Sequence, residues 1–420
     1  MTNMPASIHA SITDSRTRAD GRASYNKAQR RASMRALLLA LPLIVFLLST
    51  FIAPILLLLS RSVQNHELAD SMPALTRALN AWDGHGVPDE HIFALLAAGL
   101  KEAQENEQLG TVARRLNFAL PEFRSLLMRT ARNIHDDTPP AWKPALIEID
   151  ERWNSPEIWR LLKRAAESPT PDYLLAAVDA QVTPQGSIAS MPANASVYRE
   201  AFGRTIGISA TVTLFCLVLG YPVAWLLANL PAKSSNRLML LVIVPFWTSL
   251  LVRTTAWYVL LQPGGVVNGV LSGLGIASHP IPLVFNRTGV LIGMTHVLLP
   301  YMILAIYSVM KSVPPVYVRA AKSLGAHPFT AFVRVYMPQT LPGVGAGCFL
   351  VFVLALGYYI TPALLGGAGD EMISQLIATQ TNTQLNWGLA GALSAYLVIF
   401  TAIFYFLFNR IVGIDRLRFG

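Results

Sequence analysis

Six stretches of the chain stay apolar for far longer than a water-facing element would. They are Ala36–Leu59, Ile206–Leu230, Leu238–Leu261, Gly289–Met310, Gly343–Leu365 and Leu389–Phe408. At a rise of about 1.5 Å per residue, a run of about twenty residues crosses a hydrocarbon core about 30 Å thick. The pattern predicts six transmembrane helices. The first run is too long for the core of a signal peptide and no small-x-small cleavage site follows it, so it reads as an uncleaved anchor. Gly220, Pro222, Pro245, Pro300 and Pro362 interrupt the later runs. Such breaks are tolerated in a bilayer because neighbouring helices take up the freed backbone groups. Gly343 and Gly347 form a GxxxG pair, which allows two helices to approach closely.

The polar segments divide the rest. Residues 1–35 are basic and short of hydrophobes, which predicts a disordered cytoplasmic tail. Between residues 60 and 200, charges of both signs return and apolar residues recur at helical spacing, as in "HIFALLAAGLKEA" and "SPEIWRLLKRAAE". This predicts a helical domain inserted after the transmembrane helix 36–59, with a five-helix core over 201–415. Lys233 and Arg237 fall in the connection 231–237, and Lys311, Arg319, Lys322 and Arg334 in 311–342, whereas 262–288 and 366–388 hold one basic residue, Arg287. By the positive-inside rule the first two connections and both termini are cytoplasmic, and the 60–200 insert is periplasmic.

Composition agrees with the bilayer as solvent. The chain is 53% hydrophobic and 14% charged, with a net charge of +9. In this setting the positive balance reflects cytoplasmic helix ends rather than nucleic acid. The two cysteines, Cys216 and Cys348, both lie in apolar runs, which argues against a disulfide framework or a metal site. HExxH, GxSxG and GxxxxGK[ST] are all missing, and no Asp or Glu lies inside any of the six runs. These absences remove zinc hydrolysis, a hydrolase elbow, a nucleotide-binding loop and a carboxylate proton relay. Uphill movement of a solute would need energy from another subunit.

The loop 311–342 carries the most information. Pro314 and Pro315 suit a helix start, and Gly325 suits the left-handed position just past a helix end. Tyr317, Ala320, Ala321 and Leu324 then share one face, at i, i+3, i+4 and i+7. Pro328 opens a second short helix through Val335, before Pro338 and Pro342 lead back into the membrane. The first short helix either rests on lipid or docks a partner.

Ala320, Ala321 and Gly325, followed by Leu341, Pro342 and Gly343, resemble the EAA loop of ABC importer permeases. "PFWTSLLVRTTAW" (Pro245–Trp257), "LGAHPFTAFVRVYMPQTLPG" (Leu324–Gly343) and "ITPALLGG" (Ile360–Gly367) are similar to the spermidine/putrescine-type branch of that family. The likeness covers the first span and roughly 200–415. It implies an all-α membrane protein of type I ABC importer permease architecture in the bacterial inner membrane, carrying a helical periplasmic insert. It also implies a second permease subunit as heterodimer partner, two ATPase subunits that use ATP and Mg, and a periplasmic solute-binding protein. By the same resemblance this subunit would bind no cofactor and would not be an enzyme. Tyr317, Arg319, Ala320, Ala321, Leu324 and Gly325 would form the ATPase-coupling helix of an alternating-access cycle. Two positions depart from the family pattern. Arg319 stands where the family has Glu, and Gly357, Tyr358 and Tyr359 stand where many relatives have an acid before "TP". The resemblance puts polyamines first among solutes, ahead of amino acids, opines and other small organic molecules.

Within the runs, Arg253 is the sharpest residue. A charge about two-thirds along the Leu238–Leu261 run either snorkels to the outer surface or faces a cavity or partner. Trp247, Thr248, Arg253, Trp257, Tyr301 and Tyr358 are candidates for a translocation path, and His296 for buried structure. The alternative of another class is a membrane sensor with 60–200 as its ligand-binding domain.

Overall fold

The computed structural model describes residues 34, 38–64, 67–110, 112–113, 116, 123–134, 139–183, 187–192 and 196–412. Apart from Met34, the basic segment 1–35 lies outside them, as do residues 413–420. The chain divides into two compact units, Met1–Leu58 and Leu59–Gly420. The first supplies most of one apolar helix, α1 (Leu38–Ser60). A π turn at Leu48–Ile52 interrupts it, two residues before Pro54. Proline has no N–H to give to the carbonyl four residues back, and a wider turn absorbs the missing bond.

The second unit opens with a helical bundle: α2 (Glu67–Ser71), α3 (Pro73–Ala81), α4 (Glu90–Glu105), α5 (Phe123–Asn133), α6 (Trp142–Ile149) and α7 (Pro156–Ala166). Its ends are locally specified. The Asp89 carboxylate accepts the Ile92 N–H at the start of α4, and Ser155 accepts from Glu157 at the start of α7, where Pro156 takes the first helical position. Trp153, Trp159, Phe93 and Phe123 lie fully buried at the centre of a core that runs from Leu68 to Ala166. Both indoles satisfy their N–H groups, Trp153 on Thr130 Oγ1 and Trp159 on the Trp153 carbonyl, each at 2.9 Å. Asp150 accepts from Arg152 Nε and Nη2 at 2.9 and 2.8 Å and from Arg129 at 3.3 Å. The Arg152 guanidinium holds its carboxyl below the ordinary aspartate range, although burial opposes the shift.

The last part of the 60–200 stretch packs elsewhere. Helix α8 (Asp172–Ala176) and a hairpin of β1 (Ala180–Val182) and β2 (Ile188–Ser190), antiparallel with Gln181 opposite Ala189, lead into the long helix α9 (Tyr198–Asn229). Asp179, at φ +56°, turns back and accepts the N–H groups of Val197, Tyr198 and Arg199 at 3.0, 3.0 and 2.7 Å. An insert residue thus caps a membrane helix at its positive end.

Then come α10 (Ala232–Ile243), α11 (Leu250–Leu261), α12 (Val266–Gly273), α13 (Arg287–Ser312), α14 (Val316–Ser323), α15 (Pro328–Leu356), α16 (Ile360–Leu365), α17 (Ile373–Asn382) and α18 (Trp387–Val412). Helices α9, α13 and α15 pack together around Val212, Cys216, Met294, Met302, Ile306 and Val351. Glycines set the distances. A Cβ on Gly347 would lie 2.7 Å from Met302 Sδ, and one on Gly343 would lie 2.9 Å from Val309 Cβ. Tyr173, Ala176 and Ala177, in and just after α8, bury against Leu389, Ala392 and Leu393 of α18 and Ala201 of α9. The Tyr173 ring occupies the space that a Gly388 side chain would need.

Among the described residues, five helices are long and apolar enough to cross a membrane, and the count reaches six if a bent pair is one span. Three details differ from the sequence expectation. The Leu238–Leu261 run is not one straight helix: the helical stretches Ala232–Trp247 and Leu250–Gly273 meet at 98°. A 3₁₀ turn at Val244–Trp247 contains Pro245, Thr248 Oγ1 donates to the Pro245 carbonyl at 2.8 Å, and Ser249 is extended, so helix growth restarts at Leu250. The short helix from Pro328 does not stop at Val335 but continues to Leu356 through a π turn at Phe332–Tyr336, again two residues before a proline, Pro338. The Gly343–Leu365 run breaks at Gly357–Tyr359, between α15 and α16.

Candidate coupling surface and membrane pathway

Helix α14 is short, eight residues, and its ends are built by the sequence around it. Pro315 precedes its first residue. At the other end Gly325 adopts φ +88°, the Ala326 N–H bonds to the Ala321 carbonyl and the Gly325 N–H to the Lys322 carbonyl, each at 3.0 Å. This is a Schellman termination, for which a residue without Cβ is best suited. None of its residues is buried. Val318 and Ala321 are half-buried, and Val318 packs on the bundle core beside Phe332. Val316, Tyr317, Arg319, Ala320 and Lys322 are exposed, as are Gly325 and Leu324, the latter at 89%. Arg319 makes no ion pair among the described residues. The row of Tyr317, Ala320 and Leu324 therefore faces outward, and Ala321 turns towards the bundle.

The sequence reading missed Phe329, 70% exposed at the start of α15 next to α14, which extends the same apolar surface. Its signal was the Pro328 helix start, which leaves the following side chain outside the packed turn. The helices that carry this surface lead straight into the bundle: α13 ends at Ser312 and α15 begins at Pro328, with α14 between them.

Of the six path candidates, two lie at the bend after α10, two on α11, one on α13 and one at the break between α15 and α16. Arg253 and Trp257 sit one turn apart on α11, and the Trp257 ring meets His296 of α13 edge-on at 5.4 Å between centroids. Tyr301 and Tyr358 are partly buried against the same central core as Met294 and Leu298. Tyr301 also packs edge-on against Phe246 at 4.9 Å. Trp247, by contrast, is 74% exposed at the bend, and Thr248 uses its hydroxyl on the turn itself. So Trp257 meets His296, Arg253 lies one turn from Trp257, and Tyr301 and Tyr358 pack on the same core, whereas Trp247 and Thr248 shape the bend. The break at Tyr358 is held from behind. Ser374 Oγ donates to the Tyr358 carbonyl, Thr254 and Thr361 hydroxyls lie 3.3 Å apart, and a Cβ on Gly293 would meet Leu365 Cδ1 at 2.5 Å. The Thr254–Thr361 contact is one that hydropathy cannot show.

Discontinuous helices inside a bundle whose outer faces are apolar mark a helical membrane protein of the transport class. Residues 220–414 match the family model described as binding-protein-dependent transport system inner membrane component. The chain is 36% identical over 214 residues to the spermidine/putrescine transport system permease protein PotB of Salmonella typhimurium (strain SL1344), covering 51% of this chain and 75% of that one. The PotB protein of Escherichia coli (strain K12) gives the same identity over 78% of its length. The inner membrane ABC transporter permease protein YdcU of Escherichia coli (strain K12) is 30% identical over 250 residues, 56% of this chain and 79% of that one. Among solved structures, a bacterial ABC transporter involved in import of the acidic polysaccharide alginate aligns at 17% identity and TM-score 0.45, over 53% of this chain and 80% of that one. The chain belongs to the family of binding-protein-dependent transport system inner membrane components, the permeases of ABC transporters.

Proposed function

We propose that this chain is one half of the membrane pathway of an ATP-driven importer, with α14 as the part that an ATPase subunit grips. The observation that carries this reading is the exposed, glycine-terminated α14, set between the ends of α13 and α15, the helices that bury most of the central core. A push on α14 is transmitted along rigid helices to the Arg253–Tyr358 region, because close-packed interiors shift between discrete arrangements rather than deform. The assembly contains a second permease, two ATPase subunits that bind ATP and Mg, and a periplasmic binding protein that delivers solute. The basic connections 231–237 and 311–342 face the cytosol and the 67–166 bundle faces the periplasm. The names of the relatives support a small organic solute, with polyamines the first class to test.

Expressed with its neighbouring subunits, the chain should co-purify with an ATPase, and Ala320→Trp should abolish ATP-driven uptake while the protein still reaches the membrane. Normal uptake by that variant would remove α14 from the coupling path.

A further inference from the structure

Resting on the importer reading above, we propose that the ATPase subunit that seats α14 presents a carboxylate to Arg319, so that permease and ATPase are matched by charge. Helix geometry sets which side of α14 a partner meets. Val318 packs on the bundle core and Ala321 is half-buried, which turns one side of the helix towards the bundle. At about 100° per residue, Arg319 lies about 160° around the axis from Ala321. Val316, Ala320 and Ser323 share that outward side with it, and all four are exposed.

The chain does not supply a counter-charge. Arg319 makes no ion pair among the described residues, and no Asp or Glu occurs from Ala201 to Gly369. The other formal charges of the connections 231–237 and 311–342 are positive too: Lys233, Arg237, Lys311, Lys322 and Arg334, all exposed. Lys322 has a local use, because a cation in the last turn of α14 offsets the negative end of the helix dipole. Arg319, further from that end, has no such role.

In water an exposed guanidinium costs little. Seating α14 in a cleft removes its outward side from water, and a guanidinium does not discharge at any pH the cell reaches. An ion taken out of water without a counter-charge is strongly unfavourable. Tyr317, Leu324 and Phe329 offer apolar area to any cleft of suitable shape, so Arg319 decides which cleft is acceptable. A carboxylate satisfies the guanidinium fork with two parallel N–H bonds, whereas a basic group in its place repels it. The family pattern has Glu at this position and so suits a cleft of the opposite sign; Arg319 reverses that preference.

The test uses the assembled importer in membrane vesicles. Arg319→Lys, made together with Lys322→Arg, leaves α14 with a single primary amine, at position 319. A water-soluble carbodiimide should join that lysine to a carboxylate of the ATPase subunit, and peptide mass spectrometry locates the amide. Arg319→Gln in the same background should give no such link. Arg319→Glu alone should lower the ATPase retained on the purified permease by about tenfold or more, and replacing the located acid by Arg should restore it. No link from position 319 to the ATPase, a link to an acid of another chain or of a lipid, or unchanged retention with Arg319→Glu would overturn the proposal. Tyr317→Cys, with Cys216 and Cys348 replaced by Ala, reports the importer reading separately. If this cysteine crosslinks to the ATPase while position 319 finds no carboxylate, only the charge match fails. If neither position reaches an ATPase, α14 is not the coupling helix.

Discussion

The bundle between Leu68 and Ala166 and the helices from Tyr198 onward bury opposite kinds of side chain. The bundle hides its largest residues, Trp153, Trp159, Phe93 and Phe123, and among its described residues no large hydrophobe is exposed. The later helices turn Leu214, Phe215, Leu219, Leu241, Val398 and Phe406 outward and place Gly220, Gly293, Gly343 and Gly347 at their crossings. Water explains the first arrangement, since removing aromatic surface from it is the main driving force for collapse. A lipid tail is as apolar as leucine, so the second arrangement relies on close backbone approach and packing. The difference teaches where a polar group is informative. In the bundle, Asp150 and the indole N–H groups find partners, though Thr76 Oγ1 does not, while in the membrane part Arg253 Nε and Nη1 and His296 Nδ1 are without one among the described residues.

The contrast is open to attack at its strongest point first. Trp159→Ala should cost the bundle about 3–5 kcal/mol, because it removes a fully buried indole and leaves a cavity. Limited proteolysis should then cut within 67–166 while the membrane helices stay protected; equal loss of both regions would mean they fold as one. Next, Leu219→Arg on the outward face of α9 should cost about 2.5–3.5 kcal/mol in a membrane-insertion assay. A neutral result would place that face in water. Gly347→Val should cost about 1–3 kcal/mol by driving a methyl group into Met302, read as lower thermal stability in detergent.

The smallest effect concerns Asp150. Its carboxyl is held below the ordinary range in the folded state, so its contribution is present at neutral pH and is lost as pH falls through the depressed value. Asp150→Asn should therefore destabilise the bundle by about 1 kcal/mol near pH 7, and the gap to the parent should close in strong acid. A gap independent of pH would mean that shape, not charge, holds Arg129 and Arg152.

Much of this was legible in the linear chain. The apolar runs mark the spans, and Pro315 with Gly325 brackets α14 because both residues act locally on φ and on backbone donors. Other features depend on partners far away. The Pro245 bend lies in a continuously apolar run, which hydropathy reads as one span. Pro338 and Pro342 look like stops, yet a π turn carries the helix past them. That the segment from α8 to Val197 joins the membrane bundle rests on Tyr173 meeting Gly388, more than two hundred residues away in the chain, which no local pattern announces. Arg253 was conspicuous as a charge in an apolar run, but the burial of its Nε and Nη1 without a partner became visible only with the surrounding helices in place.

The most direct measurement places single cysteines along Val316–Ser323 in the assembled transporter and crosslinks them in the presence and absence of ATP. The account predicts crosslinks from the exposed positions, Tyr317 and Ala320 above all, to a nucleotide-hydrolysing subunit on the cytosolic side, with yields that change when ATP binds. Crosslinks that never reach such a subunit, or labelling of the same positions from the periplasm, would contradict it.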